Sequence, residues 1–213
     1  EQVIKQDIKN ILFSINHITV PEVMQVLVQD ENCKIDAFLG PSHVSVISGS
    51  KIYEEFPRDY NKPVVVSGFE PVDVMQSLSM IVKQFKEKRS DLEIEYKRLV
   101  SYEGNLKAQE LINKYFKKVP FKFRGIGEVN NSGYELKDEY DKYNAKIVYK
   151  EILPTKEVKD NKACKCPDIL KGVAKPHDCK IFGTLCTPTN PIGSCMVSSE
   201  GACSAYYKYG NLL

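Results

Sequence analysis

The cysteines of this 213-residue chain are concentrated at one end. Of seven cysteines, Cys33 alone lies in the first 163 residues, and the other six lie between residues 164 and 203. The segment around those six is rich in Gly, Pro, Ser and Thr and poor in aliphatic residues. Such a segment buries little apolar surface, so a metal centre or crosslinks must help it to fold.

Three chemistries suit six clustered cysteines. A disulfide framework is disfavoured because seven is an odd number and the first residues are too polar for a signal peptide. Structural zinc sites usually show C-x2-C pairs, whereas Cys164 and Cys166 form only C-x-C. An iron–sulfur cluster accepts thiolates from widely spaced positions. Spacing therefore favours an iron–sulfur cluster and leaves zinc open.

Charge and hydropathy exclude two classes of partner. The 30 Lys and Arg residues nearly balance the 28 Asp and Glu residues, which leaves a net charge of +2. There is no overall basic field to hold nucleic acid or an anionic membrane. No apolar run approaches the roughly 18 residues that span a bilayer. We therefore predict no nucleic-acid partner and no membrane partner.

The first ninety residues alternate between short apolar runs and helical patterns. The runs cover 11–15, 35–39 and 63–67, and the predicted helices cover 21–29 and 71–88. Strands this apolar, spaced widely enough for crossover helices, are typical of a parallel sheet covered on both faces. The helix over 71–88 has an apolar face at helical spacing, formed by Val74, Leu78, Ile81, Val82 and Phe85. The predicted fold class is therefore α/β.

The rest of the chain continues with a helix over 105–116, a strand over 121–129, a polar helix over 137–150 and a charged linker over 154–162. We predict three segments: an α/β domain (1–90), a second α/β segment that completes a neighbouring lobe (91–153) and a small, irregular, mostly helical and loop domain that carries the cysteines (154–213).

The tail carries a long motif, KPHDCKIFGTLCTP at 175–188 followed by PIGSCMVSSEGACSAYYKYG at 191–210. It closely resembles the C-terminal signature of the HypD family, the scaffold proteins of nickel–iron hydrogenase maturation. Shorter stretches match the same family in order: GPSHVS at 40–45, VSGFEP at 66–71, EGN at 103–105 and RGIG at 124–127. The resemblance covers essentially the whole chain.

The resemblance implies a 4Fe–4S cluster in the tail domain. Matched onto this chain, its ligands are Cys164, Cys179, Cys186 and Cys203, with fourteen, six and sixteen residues between successive ligands. Cys166 and Cys195 are then spare, and each is expected to be a small buried side chain near the cluster. Cys166 is also the main rival for the first ligand.

The resemblance also implies a role in a cytoplasmic assembly. Family members work with HypC-type and HypE-type proteins to assemble an iron atom that carries cyanide and carbon monoxide. The family's N-terminal cysteines, a thiol pair and an iron-binding Cys, have no counterpart in residues 1–163. The chain is therefore expected to correspond to the last three-fifths or so of the family's length.

Polar residues follow the predicted strands, where parallel sheets bind ligands. We expect His17, His43 and Glu70 on one shared rim, with His43 as an iron ligand or proton shuttle. Glu70 precedes Pro71 and is expected to cap the next helix. Glu200 lies three residues before Cys203 and is a candidate for handling protons near the cluster.

Two other functions stay open. One is a cluster-dependent disulfide reductase, for which Cys166 and Cys195 would supply the redox-active thiol pair. The other is an interaction module stabilised by zinc, which would contain zinc without acid-labile sulfide.

Overall fold

A computed structural model of the chain describes residues 1–154 and 160–210. Its strands are β1 (Phe38–Pro41), β2 (Val64–Ser67), β3 (Leu92–Ile94), β4 (Phe116–Phe123) and β5 (Gly127–Leu136). Its α-helices are α1 (Gln2–Lys5), α2 (Pro21–Val28), α3 (Ser42–Ser48), α4 (Glu55–Tyr60), α5 (Pro71–Lys86), α6 (Leu106–Tyr115), α7 (Ala145–Val148), α8 (Cys166–Leu170), α9 (Ser194–Val197) and α10 (Ala202–Tyr209). Short 3-10 helices cover Ser50–Tyr53, Asp138–Tyr143 and Pro176–Asp178.

The chain divides into two compact units, each built from separated stretches of sequence. The first unit, called unit 1 below, comprises Glu1–Ile11 and Ile35–Lys117. The second, unit 2, comprises Leu12–Lys34 and Lys118–Leu213. These units group the residues differently from the three predicted segments, because residues 12–34 pack with the later part of the chain and β3 belongs to the sheet of unit 1.

Unit 1 contains a parallel sheet in the order β1-β2-β3. In the register, Val64 of β2 pairs with Phe38 on one side and with Leu92 on the other. The central strand is fully buried at Val64, Val65 and Val66, as expected for a parallel strand with both faces covered. The predicted α/β fold class is confirmed.

Helix α5 leaves the carboxyl end of β2 and is fixed there by an ion pair. The Arg98 guanidinium donates to the buried Asp73 carboxylate at 2.9 and 3.1 Å, and to Glu70 at 2.8 Å. Glu70 occupies the N-cap position of α5, but its side chain makes no capping hydrogen bond. The expected capping role of the Glu70 side chain is therefore wrong, because its carboxylate pairs with Arg98 instead.

The predicted strand over 11–15 is also wrong. Phe13 forms only an isolated bridge to Asn144, and its backbone exchanges hydrogen bonds with Tyr143 and Ala145 at 2.8 and 2.9 Å. The apolar run is drawn into unit 2, where Ile15 is buried. The third strand of the sheet is instead β3, which pairs with β2.

The segment from 116 to 150 differs from the expected single strand and long helix. Strands β4 and β5 form a two-stranded sheet of their own, joined by a turn in which Gly125 has a φ of +82°. The polar stretch that follows divides into the 3-10 helix Asp138–Tyr143 and the short α7. Of the predicted linker over 154–162, residues 155–159 lie outside the described residues.

Across the described ranges, 1–154 and 160–210, the model contains no helix with the length and apolarity that a membrane span requires.

Two glycines let a loop close onto the end of α3 in unit 1. Gly104 has a φ of +73°, and a Cβ atom placed on it would lie 2.2 Å from the backbone nitrogen of Gly49. The neighbouring Asn105 nitrogen donates to the Ile47 carbonyl at 2.9 Å, which fixes this close approach. Any side chain at position 104 would therefore clash with the backbone of residues 47 and 49.

We expect Gly104→Ala to lower the free energy of unfolding by about 2–4 kcal/mol, because the new methyl group meets rigid backbone. Gly127→Ala is the matched control, since Gly127 also has a positive φ (+98°) but no atom within 4 Å of the added Cβ. In that control the free energy of unfolding should fall only by the cost of backbone strain, about 1–2 kcal/mol. The free energy of unfolding of both variants is measured by urea denaturation, monitored by circular dichroism. Equal losses in the two variants would contradict the steric argument.

Candidate metal centre

The six tail cysteines lie in one small core in unit 2. Cysteine supplies most of its buried side chains, since aliphatic residues are scarce in this stretch. The buried members are Cys166, Ile169, Cys179, Ile181, Cys186, Cys195, Met196 and Cys203. Cys164 is half-buried and packs against them, together with the partly buried Leu170, Ala174, Phe182 and Ile192.

A tight turn brings Cys179 and Cys186 to this core. The Cys186 nitrogen donates to the Ile181 carbonyl at 2.8 Å, and the Gly183 nitrogen donates to the Cys186 carbonyl at 3.0 Å. Gly183 takes a φ of +70°, which closes the turn. The Ile192 nitrogen donates to the Cys186 sulfur at 3.4 Å, so a backbone N–H group already faces that thiol.

Helices α9 and α10 deliver the last two cysteines. Cys195 lies in α9, and Cys203 lies in the first turn of α10. The connecting loop passes close to α9, because a Cβ atom on Gly201 would lie 2.3 Å from the Cys195 carbonyl oxygen. Glycine at this position therefore allows the two helices to share the core.

Cys164 lies among three other thiols. Burial raises the pKa of Cys164, and the nearby thiols of Cys166, Cys179 and Cys186 act in the same direction. Of the four predicted cluster ligands, Cys179 and Cys186 are buried in the core and Cys164 packs against it.

Cys203, the fourth predicted ligand, contacts a different set of thiols. Contact with the Cys195 thiol lowers the pKa of Cys203 and also lowers the pKa of Cys166, to about 6. The pKa of Cys195 is raised by the same two contacts. Cys166 also accepts a hydrogen bond from the Cys195 nitrogen at 3.3 Å, so these two cysteines lie side by side in the core.

All seven cysteines are free thiols, so no disulfide crosslinks the tail. Within residues 1–154 and 160–210, no three His, Cys, Asp or Glu side chains converge closely enough to hold a metal ion. A cluster of iron and sulfide is larger than a single ion and needs thiolates from several loops. Buried, uncrosslinked thiols that come from separate turns and helices have the donor chemistry that such a group requires.

The turn between β4 and β5 forms one wall of the centre. The Arg124 guanidinium donates to the Ile192 carbonyl at 2.9 Å, and the Ser194 hydroxyl donates to the Arg124 carbonyl at 3.2 Å. Ser194 also lies 2.9 Å from the Cys166 sulfur. A pocket of about 150 Å³ opens here. It is lined by Arg124, Gly125, Asp160, Asn161, Cys164, Cys166, Pro167, Ile192 and Gly193.

Sequence reasoning did not assign this role to the turn. The stretch RGIG at 124–127 was quoted only as part of the resemblance, and it precedes the first tail cysteine by some forty positions in the sequence. The signal in that stretch is Gly125, because a glycine allows a close approach to a neighbouring element. A Cβ atom there would lie 3.2 Å from Pro167, at the start of α8.

The residues predicted for a shared rim divide between the two units. His43 is exposed at the start of α3, and its ring lies 5.2 Å from that of Phe69. Glu70 lies in the same unit, whereas His17 belongs to unit 2. Glu200, the separate candidate near the cysteines, also belongs to unit 2. Glu200 is exposed in the loop before α10, and its backbone nitrogen donates to Ser198. The roles of His43 and Glu200 stay predictions.

We expect Gly193→Ala to expose Cys164. The added Cβ atom would lie 2.6 Å from the Cys164 sulfur, and rotation of that short side chain towards solvent relieves the clash. Alkylation of Cys164 by iodoacetamide should become faster, with Cys33 in the same sample as the internal reference. Peptide mass spectrometry measures both rates, and an unchanged ratio would show that Cys164 does not lie against Gly193.

Comparisons with a family model and with curated proteins agree on one family. A family model described as HypD, hydrogenase formation hypA family, matches residues 1–210. The chain is 45% identical over 213 residues to the hydrogenase maturation factor HypD2 of Bradyrhizobium diazoefficiens, which covers 97% of this chain and 56% of that protein. For the hydrogenase maturation factor HypD of Cupriavidus necator the identity is 44% over 201 residues, covering 91% and 52%.

A putative hydrogenase expression/formation protein of Methanocaldococcus jannaschii is 43% identical over 204 residues, covering 96% of this chain and 56% of that protein. The chain thus spans a little over half the length of these curated relatives. Because the family model matches nearly every residue, the chain belongs to the HypD family.

Proposed function

We propose that this chain is a scaffold and electron-transfer component in the assembly of the iron–cyanide–carbon monoxide unit of nickel–iron hydrogenases. The observation that carries the proposal is a folded tail whose buried core consists mainly of free thiols. The names of the relatives, hydrogenase maturation factors, support the proposed role in hydrogenase maturation. The thiol core supports the proposed iron–sulfur cofactor.

The proposed cofactor is a 4Fe–4S cluster with Cys164, Cys179, Cys186 and Cys203 as its ligands. Cys179 and Cys186 are buried in the thiol core and Cys164 packs against it, which supports their assignment to one group. Cys203 lies in the same core and is buried to a similar extent as Cys179 and Cys186. When bound, such a cluster supplies one-electron transfer.

The surrounding residues protect and tune these thiolates. Ile181 is buried, and Phe182 and Ile192 pack against the core, so they keep water from the sulfur atoms. The N–H group of Ile192 faces the Cys186 sulfur and would stabilise its negative charge. Thiolate ligands are deprotonated, so folding of the tail should be coupled to uptake of the cluster.

The iron unit is cargo rather than a resident cofactor. His43 is an exposed imidazole at the carboxyl end of β1, and such a group can bind iron or carry a proton. Glu200 is an exposed carboxylate in the loop that leads to Cys203, where it can accept a proton. HypC-type and HypE-type proteins are the proposed partners, and the cytoplasm is the proposed location.

A second candidate function is disulfide reduction that depends on the cluster. The Cys195 nitrogen donates to the Cys166 sulfur at 3.3 Å, and the Cys195 thiol lies 3.9 Å from the Cys166 carbonyl oxygen. Oxidation of this pair would form one S–S bond and release two protons and two electrons to the disulfide that is reduced. The closeness of these two buried, spare thiols favours this candidate.

We expect Cys179→Ala and Cys186→Ala to abolish binding of iron and acid-labile sulfide, and to reduce the yield of soluble protein, because each removes a ligand from the thiol core. Cys33→Ala is the matched control, since Cys33 lies in the same unit but outside that core. It should keep the iron, the sulfide and the brown absorbance of the parent chain.

Anaerobic iron, sulfide and zinc analysis with a visible spectrum measures all three variants. Full iron and sulfide in Cys179→Ala or Cys186→Ala would reject the ligand set. Zinc without sulfide in the parent chain would reject the cluster and favour the zinc-stabilised module.

For the reductase, we expect anaerobic thiol titration of the reduced chain to reveal a reversible two-electron couple. Cys166→Ser and Cys195→Ser should each abolish it while leaving the iron content unchanged, because neither residue is a proposed ligand. A chain that shows no such couple would exclude the second candidate. Loss of iron in Cys166→Ser would instead make Cys166 a cluster ligand.

A further inference from the structure

Helix α5 in unit 1 shows an inverted pattern of burial. Its buried side contains Asp73, Ser77 and Gln84, of which the last two are completely inaccessible to solvent. Five large apolar side chains lie on the exposed side instead. They form what we call the α5 stripe: Val72 (73% exposed), Met75 (67%), Leu78 (43%), Val82 (49%) and Phe85 (46%).

The apolar face predicted from the sequence therefore remains largely open. Of its five residues only Ile81 is buried against the sheet, whereas Leu78, Val82 and Phe85 each expose more than two-fifths of their surface. Scattered exposed apolar residues are ordinary, but a continuous apolar strip along a whole helix marks a surface for another molecule.

Polar contacts hold α5 in this orientation. Arg98 binds the buried Asp73 at its first turn. At its last turn the Gln84 side-chain oxygen accepts a hydrogen bond from the Asp91 nitrogen at 2.7 Å. Rotation of α5 to bury the stripe would break both contacts and leave charged or amide groups unpaired. The open stripe is thus a fixed feature of the folded unit.

We propose that the α5 stripe is a docking surface for an acidic amphipathic helix of a partner protein. Members of the stripe are spaced by three or four residues, so a partner helix with apolar residues at the same spacing can pack along it. Helix α5 has 16 residues, so a partner of about four turns would cover it.

The charges beside the stripe define the sign of the partner. Lys83 and Lys86 are the charged residues on the exposed side of α5, since its remaining charged residue, Asp73, is buried. Lys83 lies 3.9 Å from Glu87, a contact exposed to water, and remains available to a second carboxylate. At its α5, a second copy of this chain would bring the same two lysines and only two exposed acidic residues, Glu70 and Glu87, which lie at the ends of the helix and already pair with Arg98 and Lys83. Acidic side chains on the partner therefore fit best.

The stripe also leads to the end of the sheet where ligands bind. Phe69, which is 63% exposed, precedes α5 and contacts the ring of His43. A helix bound along the stripe would have one end beside this carboxyl edge of β1 and β2. The docking surface would therefore hold a partner next to the proposed iron-handling imidazole, although its existence does not depend on that role.

Two fluorescent peptides of about five turns test the proposal with the full chain. Both carry Leu at positions spaced by three and four residues, and one has Glu and the other Lys at the flanking positions. Fluorescence anisotropy at low ionic strength should show that the Glu peptide binds about ten-fold or more tightly than the Lys peptide. Lys83→Glu combined with Lys86→Glu should reverse that preference.

Leu78→Ser combined with Val82→Ser should weaken binding of the Glu peptide by about ten-fold or more, because apolar contact is lost. Leu106→Ser and Lys107→Glu in α6 are the matched controls, since both residues are exposed in the same unit but outside the stripe. They should leave the affinity unchanged. Circular dichroism and urea midpoints verify that every variant folds.

Three results would overturn the proposal: equal binding of the two peptides, binding that the stripe variants do not weaken, or binding that the α6 controls weaken equally. Light scattering that shows a dimer lost in Leu78→Ser would assign the stripe to a second copy. Sedimentation with phosphatidylserine vesicles that depends on the stripe would assign it to a membrane. The iron and sulfide content tests the proposed cluster separately. A negative result for the docking surface therefore does not bear on the cluster.

Discussion

The tail of this chain uses sulfur where most small domains use aliphatic carbon. Five of the eight residues in its buried core are cysteines, and a sixth packs at its margin. A thiol is a small side chain that contributes less apolar contact than Leu or Ile, so this core is weak unless its sulfur atoms bind something.

Other parts of unit 2 are fitted to that core. The Arg124 turn binds the loop before α9, and Lys171, at the end of α8, pairs with Asp30 at 2.9 Å. The backbone of Lys34 adds a hydrogen bond to the Lys171 carbonyl. The thiol core is therefore joined to the β4–β5 sheet and to an early stretch of sequence, so its position does not depend on the tail alone.

The sequence predicted the helices and strands that depend on residues close together in the chain. Proline at the first turn and apolar periodicity located α2 and α5, and the buried valine run located β2. The strand over 11–15 failed because its partner, near Asn144, is distant in sequence. The composition of the tail predicted a cysteine centre, but not the contribution of Arg124, which depends on a turn in another part of the chain. Helical periodicity identified the apolar face of α5, yet only the contacts of Asp73 and Gln84 determine that this face stays open.

The interleaving of the two units affects the order in which the chain can fold during synthesis. The backbone nitrogens of Phe13 and Thr19 donate to the carbonyls of Tyr143 and Ser132, so these bonds cannot form until all of unit 1 and the following residues up to about 143 have been synthesised. Contacts so distant in sequence form slowly because a long loop must close first. During that interval residues 12–34 lack the contacts with β5 and Tyr143 that they make in the folded unit, so their apolar side chains are open to a chaperone that shields short apolar segments.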